Sequence, residues 1–217
     1  MDYRYRNEVR IYLENLFLEG ELTIPDRATA IIIFSHGSGS SHRSPRNQKV
    51  AEVLQNAGFG TLLFDLLTPA EDEVYANRFA IPLLAGRLAS VTQWLEERSE
   101  ARNSRMGYFG ASTGAAAALI AASRLPQIAA VVSRGGRVDL AGDAIGKVQA
   151  PTLLIVGEFD AQVMGLNQKV YDILQCPKKL EIVKGATHLF EEHGAMDRVC
   201  ALARNWFTHY LPTATMA

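Results

Sequence analysis

Two kinds of hydrophobic run alternate along this chain. Residues 28–35 (ATAIIIFS) are apolar almost without a break, which suits a strand buried on both faces. Residues 45–57 instead place Val50, Val53, Leu54 and Ala57 on one side of a helix. The alternation then recurs. Short apolar segments at 61–64, 105–109, 129–133, 151–156 and 180–183 predict strands, and periodic segments at 81–97, 113–123, 163–174 and 191–210 predict helices. Ahead of them, 8–13 and 16–24 form a strand pair around a short turn at Glu14 and Asn15, with Val9, Ile11 and Leu13 alternating. Residues 65–79 are polar and read as loop. The pattern predicts an α/β fold: a doubly wound, mostly parallel eight-stranded sheet with helices on both faces. No linker, internal repeat or low-complexity stretch interrupts it, so 1–217 reads as a single domain.

Composition narrows the class. A chain of 217 residues, 48% hydrophobic, can bury one substantial core. The net charge of −1 gives no reason to expect nucleic acid or an anionic membrane as partner. The longest apolar run, near residues 30–34, is far short of the roughly 20 residues a membrane span needs. Residues 1–10 mix charges and aromatics and carry no secretory signal pattern. Cys176 and Cys200 make no disulfide framework and read as buried free thiols in a reducing, cytoplasmic setting.

In open sheets of this kind ligands bind beyond the carboxyl ends of the strands, so the chemistry is sought there. Gly110-Ala111-Ser112-Thr113-Gly114 follows a strand and opens an alanine-rich helix, the G-x-S-x-G context that exposes a nucleophilic hydroxyl on a tight turn. Ser112 is the nucleophile candidate. The loop His36-Gly37-Ser38-Gly39 follows the first central strand, where one oxyanion donor belongs, and the Ser38 and Thr113 amides are the candidate pair. That loop lacks the spacing of a dinucleotide or phosphate loop. His36 reads as structural, His42 lies on a mobile-looking loop and His209 in the terminal helix. His188, after the last strand, is the base. Its distance from His193 is wrong for the paired histidines of a zinc helix, and no metal or organic cofactor is implied. Asp160, after the strand at 151–156, is the supporting acid; Asp139 is its rival, with Asp65 and Glu158 behind.

Taken together, SHGSGSS, GASTG, GEFD and GATH resemble the α/β-hydrolase superfamily, and within it the small members similar to dienelactone hydrolase. The resemblance covers about residues 28–210 and implies the α/β-hydrolase fold, here with no large cap because 133–151 is short. It implies an open pocket shaped by loops 38–47, 65–79 and 134–149. Dienelactone hydrolases proper carry cysteine at the elbow, whereas position 112 is serine. The expected activity is therefore a general ester-type hydrolysis of a small-molecule substrate through an acyl-enzyme. Acyl transfer, cofactor-free perhydrolysis and a non-catalytic binding role are the alternatives. Monomer and homodimer both stay open. Four arginines, Arg43, Arg46, Arg134 and Arg137, fall on loops expected near the site. Of these, Arg134 and Arg43 are the leading candidates for binding an acidic substrate.

Overall fold

The computed structural model describes residues 2–212. Eight strands form one sheet: β1 (Tyr3–Leu13), β2 (Leu16–Pro25), β3 (Ala30–Ser35), β4 (Gly60–Phe64), β5 (Arg105–Ala111), β6 (Ile128–Arg134), β7 (Thr152–Gly157) and β8 (Lys178–Val183). Their spatial order is β1-β2-β4-β3-β5-β6-β7-β8. Only β2 runs against its neighbours; it pairs antiparallel with both β1 and β4, and every other ladder is parallel. The eight-stranded, mostly parallel α/β-hydrolase sheet without a large cap is thus the architecture of this chain.

The central strands are buried on both faces, and the side-chain period of two divides them between two cores. Ile31 and Ile33 of β3 join Tyr108 of β5 on one face. That face is covered by α3 (Ile81–Glu96), α4 (Thr113–Arg124) and α5 (Ala161–Ile173). Ile32 and Phe34 join Phe109 on the other, beneath α1 (Pro45–Asn56) and α6 (Ala195–Tyr210). Helix α4 is nearly all small residues, so it can lie close against the sheet. A β-carbon at Gly114 would collide with the carbonyl oxygens of Ser35 and His36. That close approach draws the end of β3 and the start of α4 together.

Several elements depart from the sequence pattern. Strand β1 starts at Tyr3 rather than residue 8 because its outer half is an exposed edge, where no apolar alternation is required. Residues 65–79 are not simple loop. They hold the short helix α2 (Pro69–Asp72) and a 3-10 segment, Tyr75–Phe79. Thr68 caps α2 by accepting from the Glu71 amide at 3.2 Å, while Glu71 accepts from the Thr68 amide at 2.9 Å. Residues Val138–Lys147 likewise form 3-10 turns, broken at Gly142 (φ 52°). Helix α6 begins at Ala195, since Gly194 before it is left-handed (φ 76°).

At the amino-terminal edge of the sheet, two stretches far apart in sequence meet. The Asp26 amide donates to the Asp2 carbonyl at 3.1 Å. The Thr29 hydroxyl donates to the Pro212 carbonyl at 3.4 Å. Cys176 and Cys200 are free and buried. Among the described residues no helix is long and apolar enough to cross a membrane.

Candidate active site

The chain leaves β3 for β4 on one side and returns to β5 on the other, so the β3/β5 junction is a topological switch point, where this class of sheet opens a crevice. Ser112 stands at that junction. It lies between β5 and α4 with φ 50° and ψ −124°, a conformation that costs a residue with a side chain about 1–3 kcal/mol and persists only where its surroundings impose it. Here three backbone hydrogen bonds impose it. The Ser112 amide donates to the Arg134 carbonyl at 3.2 Å, and the Ser112 carbonyl accepts from the Arg137 and Ala115 amides at 3.0 and 3.1 Å.

The loop after β3 comes against this turn. A β-carbon at Gly37 would sit 2.9 Å from Cβ of Ser112, so glycine alone permits the contact. Gly39 (φ 66°) and a Ser40 amide to Gly37 carbonyl bond of 3.2 Å fold the loop back on itself. The Ser38 amide donates to no other backbone carbonyl among the described residues. Thr113 is the first residue of α4, where an amide has no acceptor within the helix.

Asp160 ends the turn after β7, with its amide donating to the Gly157 carbonyl at 3.1 Å. It occupies the N-cap of α5, yet its side chain caps nothing there. Instead Nδ1 of His188 lies 2.6 Å from Oδ2 of Asp160. The loop carrying His188 is tied down on both sides. Thr187 donates to Glu192 through its amide at 3.1 Å and its hydroxyl at 2.6 Å, and the Phe159 amide donates to the Ala186 carbonyl at 2.9 Å. The other carboxylates weighed for this position are engaged elsewhere. Asp139 holds Arg137 through two bonds of 3.0 and 2.9 Å, Glu158 accepts from the Gly185 amide at 2.8 Å, and Asp65 faces His42.

Two of the remaining histidines, His36 and His42, are structural in form. Nδ1 of His36 lies 2.8 Å from the Gly37 carbonyl, and its Nε2 accepts from the Leu66 amide at 3.0 Å. That fixes the neutral tautomer, and burial holds its pKa below the ordinary 6.5. His42 is not on a mobile loop: it is buried, with Nδ1 2.9 Å from Asp65 and Nε2 accepting from Nε of Arg43 at 3.2 Å. Burial alone would raise the Asp65 carboxyl, but the bonds and charge from His42 outweigh it and leave the pKa below its usual range.

Ser112, His188, Ser38, Arg134 and Arg46 share one cavity of about 240 Å³. Residues 65–79 take no part in its wall, and of 134–149 only Arg134 does. Arg43 stands outside. Its side chain is 71% exposed and points toward Glu8 at 3.7 Å. Arg46, ranked behind Arg43 on sequence, takes the inner position; its place in the first turn of α1, whose N-terminus faces the carboxyl edge of the sheet, was the available signal.

Similarity to known proteins agrees with this architecture. The chain is 52% identical over 205 residues to a Mycobacterium tuberculosis protein that carries the provisional name phosphoribosyl transferase, covering 94% of this chain and 46% of that one. The chain thus spans about half the length of that curated relative. The crystal structure of dienelactone hydrolase from Anabaena variabilis superposes with a TM-score of 0.92 at 50% identity, covering 95% of this chain and 98% of the other. Est1E from Butyrivibrio proteoclasticus shares the fold, with a TM-score of 0.79 at 15% identity over 94% and 98% of the two chains. Residues 18–210 match the model of the dienelactone hydrolase family, from the second strand of the sheet through the last helix, and the chain belongs to that family.

Proposed function

We propose that the protein is a serine hydrolase of ester-type bonds, with Ser112, His188 and Asp160 as its catalytic triad. A dienelactone-hydrolase-like fold supports hydrolase chemistry in general. The observation that carries the finer reading is the 2.6 Å contact of Asp160 with His188, whose ring shares one small cavity with a serine held at positive φ. In this reading the Oγ of Ser112 attacks the ester carbonyl and Nε2 of His188 takes its proton. Asp160 accepts from Nδ1–H, which fixes the tautomer and stabilises the imidazolium without itself taking the proton. The carbonyl oxygen gains the negative charge and receives the Ser38 and Thr113 amides, each such donor lowering the barrier by roughly 3–4 kcal/mol in comparable sites. His188 then protonates the departing alkoxide. Water repeats the sequence on the acyl-enzyme and regenerates Ser112.

The provisional transferase name of the mycobacterial relative fits a second reading, in which that activity resides in the part of the relative this chain does not span. The reading proposed here concerns only the hydrolase fold. It is tested with Ser112→Ala, which is expected to lose both p-nitrophenyl acetate turnover and fluorophosphonate labelling while keeping its circular dichroism spectrum. Labelling retained in a folded Ser112→Ala protein overturns the assignment.

A further inference from the structure

The proposed triad stands on two separate supports. Ser112 sits on the turn between β5 and α4, whereas Asp160 and His188 follow the ends of β7 and β8. The 2.6 Å contact between Asp160 and His188 lies wholly within the second support. Proton transfer between nucleophile and base requires the two supports to hold their relation to about half an ångström.

Asn167 joins them from behind. It is fully buried on the inward face of α5 with Val163 and Val170, two turns beyond Asp160 at the helix N-cap. Its Nδ2 donates to the Val163 carbonyl at 2.9 Å, one turn back, and to the Gly136 carbonyl at 2.8 Å. The Gly136 carbonyl and the Arg137 amide belong to one peptide group, and that amide donates to the Ser112 carbonyl at 3.0 Å. A single peptide therefore accepts from the helix that carries the acid and donates to the residue that carries the nucleophile. Each bond polarises the group that the other uses, so the two reinforce one another.

The packing of α5 does not ask for an amide at this position. Asparagine is a weak helix former, the other buried residues of the helix are valines, and its Oδ1 is buried without a partner. A leucine of similar volume would fill the same space without those costs. The receiving turn is shaped to match. A β-carbon at Gly136 would collide with Oγ of Ser133 and Cβ of Ala115, so glycine lets the turn press onto the start of α4. The Gly135 amide ties the same turn to the Ile155 carbonyl of β7 at 2.8 Å.

We propose that Asn167 is a positioning residue for the hydrolysis, a bridge that locks the acid-bearing helix to the strained Ser112 turn and so sets the approach of nucleophile to base. The role rests on the hydrolase reading, but the bridge itself is measurable without turnover. Removing it frees the peptide between Gly136 and Arg137, loosens the Ser112 carbonyl and widens the range of positions open to Oγ. No substrate contact is lost, so the effect falls on kcat and leaves KM nearly unchanged.

Three variants test this. Asn167→Leu keeps the volume without a donor. Asn167→Ser is one bond too short, and its hydroxyl turns back to the Val163 carbonyl. Val170→Ala loosens the same face of α5 but leaves the bridge intact. With p-nitrophenyl acetate, well below each melting temperature, both Asn167 variants are expected to lose about tenfold or more in kcat with KM within about twofold. Fluorophosphonate labelling is expected to slow in proportion. Val170→Ala is expected to lower Tm and keep kcat within about twofold. The second readout is hydrogen exchange of the Arg137 amide by NMR, expected to quicken about tenfold or more in both Asn167 variants and not in Val170→Ala. A smaller kcat loss in the folded Asn167 variants, whatever their Tm, overturns the positioning role. Unchanged exchange at Arg137 overturns the bridge. A parent that neither turns over ester nor takes label overturns the hydrolase reading, and Arg137 exchange then decides the bridge alone.

Discussion

The molecule contains two histidine–aspartate pairs of nearly the same form. His188 meets Asp160 at 2.6 Å and His42 meets Asp65 at 2.9 Å, each through Nδ1. They differ at the other end of the ring. Nε2 of His42 accepts from Arg43, and the Asp65 carboxylate also accepts the amide of His42 itself at 2.7 Å, so both ends of the ring face partners inside the protein. His188 is partly exposed on the cavity wall, and no described residue bonds its Nε2. A carboxylate behind an imidazole therefore identifies a base only when the far nitrogen is left open toward a nucleophile. Where it is not, the same pair serves as a clamp between loops, here joining the loop after β3 to the end of β4.

Removing each acid separates the two roles. Asp160→Asn presents the wrong hydrogen-bonding group to Nδ1 and is expected to lower kcat by roughly 10⁴ with little change in Tm. Steady-state kinetics on p-nitrophenyl acetate check this, and a loss below tenfold would dissolve the distinction between the pairs. Asp65→Ala leaves the His42 amide and ring without their acceptor. It is expected to lower stability by about 1–3 kcal/mol in urea unfolding while kcat stays within roughly threefold. A kcat loss matching that of Asp160→Asn would instead place the second pair in the chemistry.

A third histidine sharpens the contrast through pH. Both nitrogens of His36 are engaged, so the folded state resists a second proton and its pKa lies below 6.5. The unfolded chain then binds more protons than the folded one. This contribution is full above about pH 6.5 and is lost as pH falls toward the folded value, by at most ~1.4 kcal/mol per pH unit. Urea midpoints from about pH 8 down to about pH 5 are expected to show the decline, and His36→Gln to flatten it. An equal decline in both proteins would assign it to another group.

What could be read from the sequence divides along physical lines. Strands β3 to β7 stand out because burial on both faces turns them into unbroken apolar runs, as in Ala30–Ser35. Lys178 and Lys179 of β8 and the first residues of β1 do not, since edge strands expose polar side chains. Helix α2 hides because four residues are too few for a hydrophobic period, although Thr68-Pro69-Ala70-Glu71 carries the cap chemistry. At the site, Ser112, Asp160 and His188 follow strand ends, a position that pattern alone locates. The arginines were harder. Counting residues from Ser38 favours Arg43 over Arg46, but the Ser44 amide bonds the Ser41 carbonyl at 3.1 Å in a turn that sends Arg43 outward to Glu8 and returns Arg46 to the cavity. Turn direction is set by backbone torsions that residue spacing does not encode.

The meeting of Asp2 with Asp26 and of Pro212 with Thr29 bears on how the domain can be built into larger polypeptides. Those contacts lie at the entry to β3, whereas Ser112 stands past the exit of β5, its neighbour in the sheet. Six residues of strand, about 20 Å at roughly 3.3 Å each, separate the two edges. Asp2 and Pro212 therefore lie at the sheet edge opposite the Ser112 cavity. In the hydrolase reading, a companion segment fused at that edge is expected to leave the Ser112 cavity open.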